Sequence, residues 1–273
     1  MAVTRSSNVR TSQYLMPTRP DRFPILQSRP DHDSINSVTR AQKDFAALHL
    51  TPEQKKEIDR WLEVEFTSAA LALEGVMVTQ EEVARVAESA PASGGDVSGQ
   101  MAEICAALKS IRLVISHVDK QQVAALLTPA LLVELHGGVE PGQSTLDACA
   151  SSQATRDHDA HTRLIAKLDS ACHWFSAESF VELHAAEQAA IVLMRVIELR
   201  PFNDGVARMA LAASSLFTLR SGLPPVIISS NLQIRYQTAL REGMKMNTRP
   251  MVDLVAEALV TTVSEIVGRV RSK

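Results

Sequence analysis

The densest run of chemically useful side chains is RPFNDGVAR, residues 200–208, in which Arg200, Asp204 and Arg208 recur every four residues around Pro201 and Gly205. The stretches on either side, LHAAEQAAIVLMRVIEL and MALAASSLFTLRSGL, are helical in pattern, so the run is a tight Pro/Gly turn that opens a helix. Such a turn offers unpaired backbone N–H groups and the positive end of the helix dipole, which is the outline of an anion site. Other reactive side chains stand apart from it. His158 and His161 in DHDAH have an i, i+3 spacing open to metal ligation, yet they stand in a polar stretch without further ligands and read as solvated. His184 begins a helix, where a histidine caps the end or edges the core. Cys149, in the same polar stretch as the His pair, reads as an exposed thiol without a helper base.

The elements that must hold the turn follow from patterning. Ala189, Ala190, Leu193 and Ile197 before it, and Ala210, Ala212 and Ala213 after it, describe two helices packed on most sides, which puts the turn at the molecular centre. Upstream, TPEQKKEIDRWLEVEFTSAALALEG has the Thr-Pro start of a helix and stops at Gly75, with Trp61, like Trp174, read as core. MVTQEEVARVAESA follows with Thr79 as N-cap and Glu82 as its capping-box partner. PASGGDVSG, 91–99, breaks the pattern. Helical patterning returns in MAEICAALKSIRLVISHV and from Thr128 in TPALLVELHGGV, ended by Gly137 and Gly138. Residues 140–160 are small and polar, a surface excursion of the kind that is functional or mobile. From residue 161 the chain is helical apart from 200–205 and 221–231, the latter with a short strand around 226–228. The fold class is all-α. A mobile arm is expected over 1–45, patternless to about residue 36, with Arg5, Arg10, Arg19, Arg22 and Arg29 in a solvated basic tail or a partner contact. A helical segment over 46–95 and a core over 96–273 complete the division.

Composition narrows the partners. The chain has 273 residues, 45% hydrophobic, with 28 Lys+Arg against 31 Asp+Glu and a formal net charge of -3. That suits one domain with an appendage and supplies no basic field, so nucleic acid and an anionic membrane are excluded as partners. Three widely spaced cysteines form neither a disulfide framework nor a zinc site, which points to a reducing, cytoplasmic setting. No apolar run reaches the ~18 to 20 residues of a membrane span, and the N-terminus lacks the apolar stretch of a signal peptide, so ordinary secretion is not expected.

RPFNDGVAR with Leu211 resembles the Fic (Fido) family motif H-P-F-x-[DE]-G-N-G-R-x-x-R. His184 precedes Arg200 by 16 residues, as a family His often does. RSGLPPVII is similar to the family's R-A-G-Y-P-P-x-I-I, and Tyr236, Leu240 and RPMVDLV follow its C-terminal pattern. ALALEGVMVTQEEV resembles the family's inhibitory helix, [ST]-x-x-x-E-[GN]. The resemblance covers about 61–255. It implies a Fic-type helical bundle with a short β-hairpin flap, and transfer of AMP from ATP to a protein hydroxyl. The flap implied over 140–160 would dock a protein partner as an added strand.

The departures from the motif bear on function. The resemblance assigns the first motif position to a histidine general base, and Arg200 stands there. Arginine keeps its proton near neutral pH, so a contribution of about 10² to 10⁴ in rate is lost. Phe202 matches the ring that anchors the turn. Asp204 matches the family's Mg²⁺ ligand, and a helix N-cap is its other reading. Gly205, Val206 and Ala207 replace the Gly-Asn-Gly nest around the phosphates with residues that resist φ > 0 and close approach. Arg208 retains the first phosphate-contacting arginine, whereas Leu211 removes the second. Glu74 matches the inhibitory glutamate, with Ala70 in place of the Ser or Thr ahead of it. With the second arginine absent, Glu74 either meets Arg200 or Arg208 or stays solvated. The expected protein is a cytoplasmic Fic-fold pseudoenzyme that binds a nucleotide or a protein, with ATP and Mg²⁺ binding weakened or lost. The alternative is an active Mg²⁺-dependent adenylyltransferase, or a related phosphate-group transferase, with a non-standard site.

Overall fold

The computed structural model describes residues 32–89, 99–121, 127–137, 149 and 158–272. The helices run in the order α1 (His32–Ala46), α2 (Pro52–Leu73), α3 (Gln80–Glu88), α4 (Gln100–Gln121), α5 (Pro129–His136), α6 (His158–Trp174), α7 (Glu178–Val181), α8 (Ala185–Leu199), α9 (Val206–Arg220), α10 (Gln233–Gly243) and α11 (Arg249–Arg271). A 3₁₀ turn, Ser230–Leu232, leads into α10. Among the described residues there is no strand. The segment 226–228 is buried but forms no strand, its Val226 N–H donating to Ser215 Oγ at 3.0 Å, which corrects the strand expected there. Most of the excursion in which a flap was expected lies outside the described residues, as do residues 1–31 of the arm and the 91–98 break.

Helices begin where the sequence places caps. Thr51 accepts the Gln54 N–H at 3.2 Å while Gln54 Oε1 accepts the Thr51 N–H at 3.0 Å. Thr79 and Glu82 form the same reciprocal box at 3.2 and 2.8 Å, and Thr128 accepts the Leu131 N–H at 3.1 Å. Each cap is worth about 1 kcal/mol and sets the first turn. Gly137 ends α5 at φ 78, and a Cβ there would stand 2.7 Å from the Ala106 carbonyl of α4.

Two cores hold the elements. In the larger, α8 and α9 form the most extensive helix pair, their fully buried Ala186, Ala189, Ala190, Ala210, Ala212 and Ala213 letting the backbones approach closely. The flanks of α9 meet α4, α5 and α2, and α8 meets α11. Phe175, Phe180 and Phe217 form an aromatic cluster beside them, joined by half-buried Trp174. Trp61 is half-buried too, with the Arg269 guanidinium 4.4 Å from its ring centroid. The smaller core, Val64, Leu71, Val83, Val86, Ile104 and Leu108, clamps α2, α3 and α4 together. It fixes the end of α2 beside α10, where Gln233 Nε2 donates to the Ala72 carbonyl at 3.2 Å.

The helix α1 corrects the arm expected up to residue 45. Its Val38 and Ala41 are buried against the main core, and it packs along α11. Ser34 Oγ donates to Asp253 Oδ1 at 2.8 Å and Gln42 Nε2 to the Ser221 carbonyl at 2.6 Å. Polar side chains mask the apolar spacing of this helix in the sequence, whereas docking needs only a few apolar residues gathered on one face.

Candidate functional site

The helix α8 begins at His184, whose Nδ1 accepts the Ala186 N–H at 3.2 Å while its own N–H donates to Glu187 Oε2 at 2.9 Å. His184 is a capping residue, as its position at a helix start suggested. The helix ends at Arg200, in the left-handed region at φ 43 and ψ 62. Pro201 and Phe202 then bury, and the chain turns through Gly205 at φ 62 into α9. A Cβ on Gly205 would stand 2.7 Å from Arg208 Nη2 and 3.0 Å from His136 Nε2, so any other residue would be strained there and would displace these side chains.

Under the turn stands His136, the last residue of α5. Its ring stacks on Phe202, with centroids 4.1 Å apart. Its Nε2 lies 3.2 Å from both the carbonyl oxygen and Oδ1 of Asp204. Both neighbours accept, so Nε2 carries the proton, and the buried Nδ1 has no hydrogen-bond partner. Burial, and after it the nearby Arg208 charge, hold His136 below the usual histidine range, leaving a neutral ring. Asp204 is not the N-cap of α9, which corrects that reading. Gly205 is the cap residue and no side chain caps the helix. The helix begins one residue later than an Asp204 cap requires, and the carboxylate turns to His136 instead.

The first turn of α9 holds the anion site, and a carboxylate of the chain itself occupies it. Glu74 Oε1 accepts the Arg208 N–H at 3.0 Å, and Glu74 Oε2 accepts from Arg208 Nη1 at 3.1 Å. Of the alternatives for Glu74, the contact with Arg208 is therefore the one formed. Arg208 Nη1 also donates to Glu103 in the first turn of α4, and Nη2 donates to the His136 carbonyl at 3.4 Å. The guanidinium is 4% exposed and its Nε is buried without a partner. Burial raises the Glu74 carboxyl above the usual carboxylate range, although the Arg208 N–H and charge pull it down.

Glu74 and Glu103 line a cleft of about 560 Å³ whose walls also include Arg200, Asp204 and Tyr236. That volume is within the range of small-molecule sites. Val206 and Ala207, the first residues of α9, line it as well. Burial, with the Glu74 charge nearby, pushes the Tyr236 hydroxyl far above the phenol range, so it stays protonated. Leu211 lies one turn beyond Arg208 and is fully buried, so the second clamp position faces the core. Among the described residues no group of three His, Cys, Asp or Glu side chains could hold a metal. Asp204, 76% exposed, is a hard oxygen donor that would need phosphate oxygens to complete a Mg²⁺ shell.

Two other expectations change. His161 is buried on α6, which begins at His158, so the pair does not lie in a loop. Cys149 is fully buried in the main core, and burial pushes its thiol up to about 11. His136 and Glu103 were not singled out from the sequence. The first reads there as the residue before a helix-stopping glycine and the second as a first-turn acid, and only packing brings them to Asp204 and Arg208.

An all-helical bundle whose central helix pair is joined by a Pro/Gly turn is the architecture of the Fic fold. Known structures agree. The chain matches a Fic-1 fragment from C. elegans with a TM-score of 0.73 and 19% identity, covering 87% of this chain and 71% of that one. It matches a Fic domain containing signaling protein from Bacteroides thetaiotaomicron with a TM-score of 0.68 and 17% identity, covering 87% and 98%. In sequence it is 29% identical over 99 residues to the protein adenylyltransferase fic-1 of Caenorhabditis elegans, 36% of this chain and 20% of that relative. The match thus spans about a fifth of the curated relative's length. No family model matches the chain. The fold is that of the Fic domain, and the chain resembles Fic adenylyltransferases. No helix among the described residues is long and apolar enough to cross a membrane.

Proposed function

We propose that this chain is a Fic-fold protein that has lost AMP transfer and serves as a binding module, with a nucleotide phosphate as the ligand its anion seat would take. The observation that carries this reading is the double contact of Glu74 with Arg208, which spans a helix N–H and a guanidinium as a phosphate would. The position of the expected base supports it, since an arginine, Arg200, stands there, and arginine is a poor general base. A nucleotide would enter the cleft only by displacing Glu74. When bound, Mg²⁺ would neutralise phosphate charge, with Asp204 as the protein donor. Arg208 would bind phosphate once released, and Tyr236, which lines the same cleft, would donate a hydrogen bond. Placement in the cytoplasm, and a protein partner docking at 140–160, belong to the same proposal.

The test is calorimetric titration of the wild type and Glu74→Ala with ATP and Mg²⁺, with Asp204→Ala and Arg208→Ala as controls in the opened chain. Binding by Glu74→Ala that both controls weaken supports the nucleotide seat. No binding at millimolar ATP in any variant leaves a protein-binding scaffold. The resemblance to adenylyltransferases favours a second reading, an active enzyme with a non-standard site, which radiolabelled AMP on any protein after incubation with the wild type would establish.

A further inference from the structure

The Arg208 guanidinium is held by two acids from different helices, and they differ in kind. Glu74 closes α2, is 12% exposed, and is tied at both oxygens, to the Arg208 N–H and to Nη1. Glu103 projects from the first turn of α4, is 36% exposed, and reaches Arg208 through Nη1 alone. The remaining polar atoms of the guanidinium have no ligand role: Nη2 faces the His136 carbonyl, and Nε is buried. Nη1 is therefore the group an incoming anion must use, and it carries both carboxylates. Removing Glu74 vacates the N–H of the helix, but Glu103 still sits on Nη1 and competes with a phosphate for it.

Resting on the phosphate-seat reading above, we propose that Glu103 is a specificity-determining residue that weakens polyphosphate binding in the cleft even when Glu74 is withdrawn. The seat has two locks in series. Glu74 fills the helix N-terminus, and Glu103 neutralises the arginine. The cleft walls, with Glu74, Glu103 and Asp204 against Arg200, then disfavour polyanions as a matter of charge rather than of space. Glu103 is also the acid that leaves at lower cost, because it is the more exposed and has one bond to give up.

Two readouts on the full chain separate this inference from the reading beneath it. The first needs no ligand: arginine side-chain NMR of the wild type, Glu74→Ala, Glu103→Gln and the double variant, with melting curves to confirm folding and Glu74→Gln as the substitute should the alanine variant unfold. Slow guanidinium rotation at Arg208 should persist in Glu74→Ala and collapse only in the double variant. Fast rotation in Glu74→Ala alone overturns the proposal, whatever binds. The second is calorimetry with inorganic tripolyphosphate, where the double variant should bind about tenfold or more tighter than Glu74→Ala. Equal affinities overturn the role of Glu103. No binding by a double variant whose guanidinium rotates freely overturns both the selectivity and the phosphate seat, whereas the NMR result stands by itself for the contact.

Discussion

Glu74, at the end of α2, and Arg208, 134 residues later in the first turn of α9, meet twice, once through a backbone N–H and once through a guanidinium nitrogen. The pair joins the inhibitory-helix-like segment to the central turn, so stability and closure share one contact. Arg208→Ala leaves two carboxylates facing each other without their cation, and a buried pair broken from one side costs about 3 to 5 kcal/mol. Glu74→Gln, which keeps shape and acceptor, should cost less. Urea denaturation of the two variants gives the comparison, and a larger loss in Glu74→Gln would contradict the account.

The raised carboxyl of Glu74 predicts a direction with pH. The folded chain binds this proton more tightly than the unfolded chain, whose value is 4.5. Its contribution is therefore full below 4.5 and is lost as the pH rises through the folded value. The urea midpoint of the wild type, measured relative to Glu74→Gln, should fall as the pH rises from 4 to 8.

His136 has the opposite sign. Its folded value is depressed below 6.5, so what it contributes is complete above 6.5 and is lost as the pH falls through the folded value. His136→Phe keeps a ring to stack on Phe202 and removes the titration. The wild type should lose midpoint relative to this variant on acidification, and parallel curves would show that the ring does not titrate with folding.

Gly205→Ala tests the turn. The substitution places a Cβ in the left-handed region and against Arg208 and His136 at once. The backbone alone costs about 1 to 2 kcal/mol, and with the contact the loss should exceed about 2 kcal/mol in chemical denaturation. Gly75→Ala, where nothing lies within 4 Å of the added carbon, should lose only the backbone part.

Thiol reactivity follows burial. Cys149 and Cys172 are buried, with thiols pushed up to about 11 and about 12, whereas Cys105 is partly exposed. At neutral pH a disulfide reagent should label Cys105 first, with Cys149 and Cys172 labelled only after unfolding. Mass spectrometry of the labelled native protein checks the order, and rapid labelling of Cys149 would refute its burial.

Arg200→His alone should give no AMP transfer to protein from labelled ATP, because Glu74 still holds Arg208 and Val206, Ala207 and Leu211 are unchanged. Transfer is expected only when Glu74→Gly, Arg200→His, Val206→Asn, Ala207→Gly and Leu211→Arg are combined. Leu211 is fully buried, so its replacement by arginine will itself lower the melting temperature.

Local chemistry was legible in the chain. Thr51, Thr79 and Thr128 as caps, Gly75 and Gly137 as stops, and RPFNDG as the turn between packed helices need only neighbours a few residues away, and each stands where the sequence put it. The departures at Arg200, Val206, Ala207 and Leu211 are likewise facts of sequence. Contacts across long separations were not legible. A carboxylate's partner depends on which helix ends converge, so packing alone chose Arg208 for Glu74, brought Glu103 to the same guanidinium, and set His136 under Asp204. The burial of Cys149 and the docking of α1 were decided in the same way, by apolar contacts made with distant parts of the chain. Sequence determines the groups and their local geometry, but the charge environment of each group belongs to the folded neighbourhood, because desolvation and Coulomb interaction act through space.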